Sequence, residues 1–156
     1  MIWITSLSRF CVTAFFLILC DAFLLTFSDK SDIIDTNIIR EEYIMDCLFC
    51  KIIAGEIPSS KVYEDDMCLA FNDIAPQAPT HILFIPKVHI GSCGEVTPDN
   101  SKYVSHIFEK ISEVAAQKGL TDGFRVVSNC GVSAGQTVPH LHFHVMAGRE
   151  FTWPAG

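Results

Sequence analysis

From Asp46 onward the spacing of apolar positions changes period several times, and each change marks an element. In Cys47 to Ile53 the apolar residues fall at 48, 49, 52 and 53, a helical step, and Gly55 with Pro58 ends it, so a short helix over a core is predicted. Val62 to Glu64 and Met67 to Asp73 read as two strands of a hairpin turning at Asp65-Asp66. Ala75 to Pro79 is a loop stiffened by prolines, and His81 to Ile85 is a continuous apolar run expected as a central strand. Thr97 as N-cap with Pro98 behind it starts a long helix. Tyr103, Val104, Ile107, Phe108, Ile111, Val114 and Ala115 give it one apolar face as far as Gly119, which leaves His106 as a surface residue. A strand over Phe124 to Asn129 and a glycine-containing turn over Cys130 to Gly135 then lead into Gln136 to Met146. The order of elements is that of an α+β domain with an antiparallel sheet.

In that last stretch His140, His142 and His144 alternate with Leu141, Phe143 and Val145, the period of a strand with imidazoles on one face and core on the other. Such a row admits three readings: solvent-facing polar residues, a metal site built on His-x-His, or catalysis with a neutral imidazole as nucleophile. Gly135-Gln136-Thr137 just before it adds a turn whose amides can hold an anion and a hydroxyl that can donate to a leaving group. Together they point to phosphoryl chemistry.

The first forty-four residues read differently. Phe10 to Phe27 is almost all apolar, interrupted mainly by Asp21 and preceded by Arg9, and Ser28 to Tyr43 is a polar, acidic linker. The expectation is that the natural protein starts at Met45, directly before the ordered domain, with Arg40-Glu41-Glu42 encoding a purine-rich, ribosome-binding-like run. A membrane anchor through residues 10–27 is the second reading and a cleaved signal the third. The domain is therefore expected over 45–156.

The 156 residues suit one domain with a sizeable core. A formal net charge of -7 without a Lys/Arg cluster argues against a nucleic-acid partner, but leaves room for a pocket that takes one nucleotide. Seven cysteines, an odd number, show no framework spacing apart from Cys47-x-x-Cys50, which suits a reducing compartment and hence the cytoplasm. Cys68, Cys93 and Cys130 are expected to pack and nothing more.

His140-Leu-His-Phe-His-Val-Met146 resembles the signature of the histidine triad superfamily, and Asp46 to Gly156 is similar to its Hint-like branch throughout. The likeness includes Phe49-Cys-Lys-Ile-Ile53, Gly55-Glu-Ile-Pro58, Phe71-Asn-Asp-Ile-Ala-Pro-Gln-Ala-Pro-Thr-His81, Ile85-Pro-Lys87 with His89, Asn129, Gly135-Gln136 and the tail from Gly148-Arg149 to Trp153-Pro154. It implies a five-stranded antiparallel sheet with two helices per subunit of a homodimer, and a purine nucleoside phosphoramidase.

On this resemblance His142 is the nucleophile on the α-phosphate, His140 and His144 orient and polarise the site, and His81 completes the set. Asn129, Gly135, Gln136 and Thr137 hold the phosphate and leaving group, with Thr137 standing where serine is usual. Asp73 accepts from the ribose, and Phe49, Ile52, Phe71 and Ile74 enclose the purine. Asn72 replaces a histidine on the ribose side, which leaves base preference open. Cys47, Cys50, His89 and His140 would form a structural zinc site, with no metal required for catalysis. Two alternatives stand beside this one: a nucleotide-binding interaction module with incidental turnover, and a zinc-dependent hydrolase.

Overall fold

The computed structural model describes residues 46–154, so the apolar segment at 10–27 lies outside the described residues. Among those described, no helix is long and apolar enough to cross a membrane. The elements are α1 (Leu48–Ala54), β1 (Lys61–Glu64), β2 (Cys68–Asn72), β3 (Thr80–Pro86), α2 (Ser101–Gln117), β4 (Phe124–Val127) and β5 (Phe143–Ala147). Short 3-10 turns occupy Cys93–Glu95 and Val132–Ala134. The strands form one sheet in the order β1-β2-β3-β5-β4 with every pair antiparallel, the expected five-stranded α+β arrangement.

Strand parity decides what the sheet presents on each face. Cys68 and Ala70 of β2, Ile82 and Phe84 of β3, and Phe143 and Val145 of β5 pack with Ile107, Ile111 and Val114 of α2. Leu69 and Phe71, then Leu83 and Ile85, face the other way and pack with Phe49 and Ile52 of α1. Because β3 is covered on both faces, its run is apolar without alternation, as a central strand requires. His144 sits opposite Leu83, and His81 opposite Met146, so both histidines fall on the α1 face.

The hairpin turns where expected because one Asp65 carboxylate oxygen accepts the N–H groups of both Met67 and Cys68, at 2.8 Å each. Three local expectations change. The long helix starts at Ser101, since Asn100 Oδ1 accepts the Thr97 N–H at 2.7 Å and closes a separate turn before it. The last strand covers only Phe143–Ala147: the His140 N–H is turned back onto the Val138 carbonyl behind Pro139, so His140 and His142 lie on the segment leading in. His106 is not simply at the surface, because its Nε2 meets Asp65 Oδ2 at 2.5 Å and ties α2 to the hairpin.

Candidate active site

Four histidines and one aspartate gather on the α1 side of the sheet, and their hydrogen bonds decide which ring nitrogen carries each proton. The His140 Nε2–H donates to the Pro86 carbonyl at 2.9 Å, leaving its Nδ1 lone pair toward the sulphurs of Cys47 and Cys50. The His142 Nδ1–H donates to the His140 carbonyl at 2.7 Å, which leaves Nε2 unprotonated. The Gln77 N–H donates to His81 Nδ1 at 3.1 Å, so the His81 proton sits on Nε2 and is donated to His144 Nδ1 at 2.9 Å. His144 must then carry its own proton on Nε2. The row consists of one imidazole with an available lone pair flanked by one with an N–H to offer.

Burial lowers the basicity of His140, His144 and His81. Desolvation holds His140 at about 4, with the charges of His89 and His142 acting the same way and the Pro86 carbonyl opposing. His144 is also held at about 4, by desolvation first and then by His142 and His81, with Asp73 opposing. His81 is lowered by burial against a smaller opposite pull from Asp73. The centroid of the Phe49 ring lies 5.3 Å from that of His142 and 5.9 Å from that of His140, in edge-to-face arrangements, so an aromatic wall fixes the planes of both.

Asp73 divides its two oxygens. Oδ1 accepts the Ala75 N–H at 2.8 Å, and Oδ2 lies 3.5 Å from His81 Nε2 and 4.0 Å from His144 Nδ1. The same carboxylate borders a cleft of about 590 Å³ lined by Leu48, Ile52, Ile57, Phe71, Asn72 and Ile74 among others. That volume suits a small organic ligand. Ile74 is fully exposed at its mouth, and Ile52 and Phe71 form its floor, whereas Phe49 stands behind them as the wall of the histidines and does not line the cleft.

The loop between β4 and β5 contributes the other group of expected residues. Gly135 adopts φ +84°, a conformation that suits glycine, and the Asn129 amide donates to its carbonyl at 3.4 Å. Gln136 is fully engaged inside the loop: Oε1 accepts the Gly131 N–H at 2.8 Å, and Nε2 donates to the carbonyls of Gly91 at 2.7 Å and Val138 at 3.0 Å. It therefore shapes the turn through its side chain. Thr137 borders a second hollow beside Cys47 and Leu48.

Cys47, Cys50, His89 and His140 bring their ligand atoms within 4.8 Å of one another. The sulphur-to-Nδ1 distances are 3.5 Å for Cys47–His140, 3.3 Å for Cys50–His89 and 3.6 Å for Cys50–His140. Tetrahedral zinc with ordinary Zn–S and Zn–N bonds has S···N edges of about 3.6 Å. The residues fit that ion, and the Pro86 carbonyl supplies the outer hydrogen bond that fixes a ligating histidine's tautomer. Burial and then the neighbouring Cys47 push the Cys50 thiol up to about 12.

Two contributors left no trace in the sequence reading. Gln77 acts through its main-chain N–H, which any residue but proline would supply, and Pro86 acts through its carbonyl. Leu48, 44% exposed at the rim of both hollows, was visible only as an apolar helix position.

A family model described as the HIT domain matches residues 54–151. An uncharacterised HIT-like protein of Synechococcus elongatus is 51% identical over 111 residues, covering 71% of this chain and 97% of its own. A 14 kDa zinc-binding protein of Zea mays is 49% identical over 111 residues, covering 70% and 87% respectively. The crystal structure of a HIT family hydrolase from Legionella pneumophila superposes with a TM-score of 0.70 at 47% identity, over 71% of this chain and 100% of that one.

Proposed function

The chain belongs to the HIT domain family, and from that premise we propose that it hydrolyses purine nucleoside phosphoramidates or related nucleotidyl compounds through a covalent nucleotidyl-histidine. The observation that carries the reading is the tautomer of His142: its Nδ1–H is committed to the His140 carbonyl, so in the neutral ring the lone pair is on Nε2.

In this reading the His142 Nε2 attacks the α-phosphorus, the N–P bond forms and the bond to the leaving nitrogen breaks. The His140 carbonyl stabilises the positive charge that then develops on the ring. The His144 Nε2–H offers its proton to a phosphoryl oxygen, and the Thr137 hydroxyl donates toward the leaving group. Water then attacks phosphorus, the N–P bond breaks, and the nucleoside monophosphate leaves. Asn129 holds a phosphate oxygen beside Gly135, whose own N–H is spent on the Val132 carbonyl at 2.9 Å; Gln136 holds the turn, and Asp73 accepts from the ribose. Ile52, Phe71 and Ile74 contact the base.

Cys47, Cys50, His89 and His140 would hold zinc, which would supply a structural tie between α1 and the segments after β3 and before β5. It leaves His142 out of its ligand set, so the nucleophile acts without it. The maize relative's description as zinc-binding and the Legionella neighbour's as a hydrolase agree with both parts of this reading. The reading also includes a cytoplasmic homodimer, in which the exposed Trp153 tail reaches the leaving-group side of the partner.

The test is release of AMP from adenosine 5′-phosphoramidate by the protein and by His142→Ala, each with and without a chelator. Turnover that disappears in the variant and survives chelation is expected. Loss on chelation of a still-folded protein would make it a zinc hydrolase, and AMP binding without release would make it a binding module.

A further inference from the structure

Cys93 and Cys130 are both exposed and free, and neither belongs to the four-ligand set. Cys93 opens the 3-10 turn after β3, and Cys130 lies in the loop between β4 and β5. Folding lays one against the other. The Cys130 Sγ lies 3.5 Å from Ser92 Oγ, and a methyl group built on Gly94 would come within 3.3 Å of the same sulphur. It is thus seated on the two residues that flank Cys93.

We propose that this is a modification site, at which Cys93 and Cys130 close reversibly to a disulfide when a peroxide supplies the oxidising equivalents. The two sulphurs are prepared for different parts. The Ser92 hydroxyl, the Gly94 N–H and the Cys93 thiol hold Cys130 below the usual thiol range, while burial and then the hydrogen bond to Cys130 raise Cys93. Cys130 is therefore the thiolate that attacks first. Its S–O bond forms as the peroxide O–O bond breaks, and the departing hydroxide takes a proton to become water. The Cys93 sulphur then attacks the sulfenic sulphur of Cys130, the S–S bond forms, the S–O bond breaks, and a second water leaves with the Cys93 proton. Two thiols and one peroxide give one disulfide and two waters.

The loop already depends on this neighbourhood. Gln136 links the Gly91 carbonyl to the Gly131 N–H, so the disulfide would add a covalent link beside an existing polar one. An S–S bond of about 2.0 Å is far shorter than a thiol–thiol contact, so closure draws Cys130 and the adjoining Asn129 out of place by about an ångström. On the phosphate-loop reading given above, on which this consequence rests, turnover falls by roughly ten- to a hundredfold.

The experiment treats the reduced, zinc-loaded full chain with hydrogen peroxide. Free thiols are then alkylated, the digest is mapped by mass spectrometry, and phosphoramidate turnover is followed in parallel. A Cys93–Cys130 cross-link that dithiothreitol reverses, with turnover lost and regained alongside it, is expected. Cys93→Ser should keep the reduced parent's turnover and give no cross-link. A Cys130 that pairs with another cysteine, or goes to sulfinic acid with Cys93 still free, overturns the site. A cross-link that leaves turnover unchanged overturns its control of the loop. Failure of the reduced protein to hydrolyse anything would instead refute the function, while the peptide map would still decide the disulfide.

Discussion

His81 is 95% buried, and it is the one residue whose replacement separates a structural histidine from one that sets a proton. It accepts from the Gln77 N–H and donates to His144 Nδ1. His81→Leu deletes both bonds and leaves two polar partners without one. The part-buried His144 nitrogen is the costly orphan, at about 1–3 kcal/mol, because Gln77 is exposed and its N–H can turn to water, so unfolding by urea should show a loss of roughly 1–3 kcal/mol. The donor to His144 also decides its tautomer. Without it, His144 loses about 1–3 kcal/mol of preference for the Nε2–H form, and turnover falls by roughly 5- to 150-fold. His81→Gln can place an amide N–H close to the lost Nε2–H, so turnover should return toward the parent value even where stability does not. Kinetics would be read together with the ¹⁵N shifts of the His144 ring. A folded His81→Leu protein with parental turnover and an unaltered His144 tautomer would refute the reasoning.

If zinc fills the proposed four-ligand set, Cys50→Ser removes one ligand, so metal analysis should show less zinc per chain than in the parent and the melting temperature should drop, with turnover per folded molecule retained. Phe84→Ala empties a site that is 0% exposed in the larger core cluster and should cost about 3–5 kcal/mol by urea unfolding, without moving KM. Acid should destabilise the fold over a defined window, because His144, which lies outside the proposed zinc set, is held at about 4 when folded and returns to near 6.5 when unfolded. Between those values the unfolded chain binds more protons, so stability is full above about pH 6.5 and falls as pH drops toward 4. Denaturation curves at constant ionic strength measure the slope.

Most of the fold was legible because it is periodic. Ile107, Ile111 and Val114 recur at helical steps and do form the buried face of α2, and the unbroken His81–Ile85 run does occupy the middle of the sheet. The histidine alternation reported the correct face for all three rings, but it overstated the strand, since Pro139 and the bend at Val138 hold His140 and His142 outside the ladder. That Cys47, Cys50, His89 and His140 gather in one place was legible once the family likeness supplied the two histidines that Cys47-x-x-Cys50 lacked. What stayed hidden depends on main-chain atoms or on chance neighbours across the fold. Nothing in the letters of Ala75 to Pro79 says that the Gln77 N–H orders two imidazoles. Nothing in Cys93 and Cys130, read singly, says that they meet.

The central claim is that His142 becomes covalently bonded to the nucleotide. Acid-free quenching of the protein within a single turnover of adenosine 5′-phosphoramidate, followed by peptide mapping, tests it directly. The account predicts a nucleoside monophosphate adduct on the peptide carrying His142, formed and lost at rates consistent with turnover, and missing from His142→Ala. Steady turnover with no adduct, undiminished in His142→Ala, would contradict it.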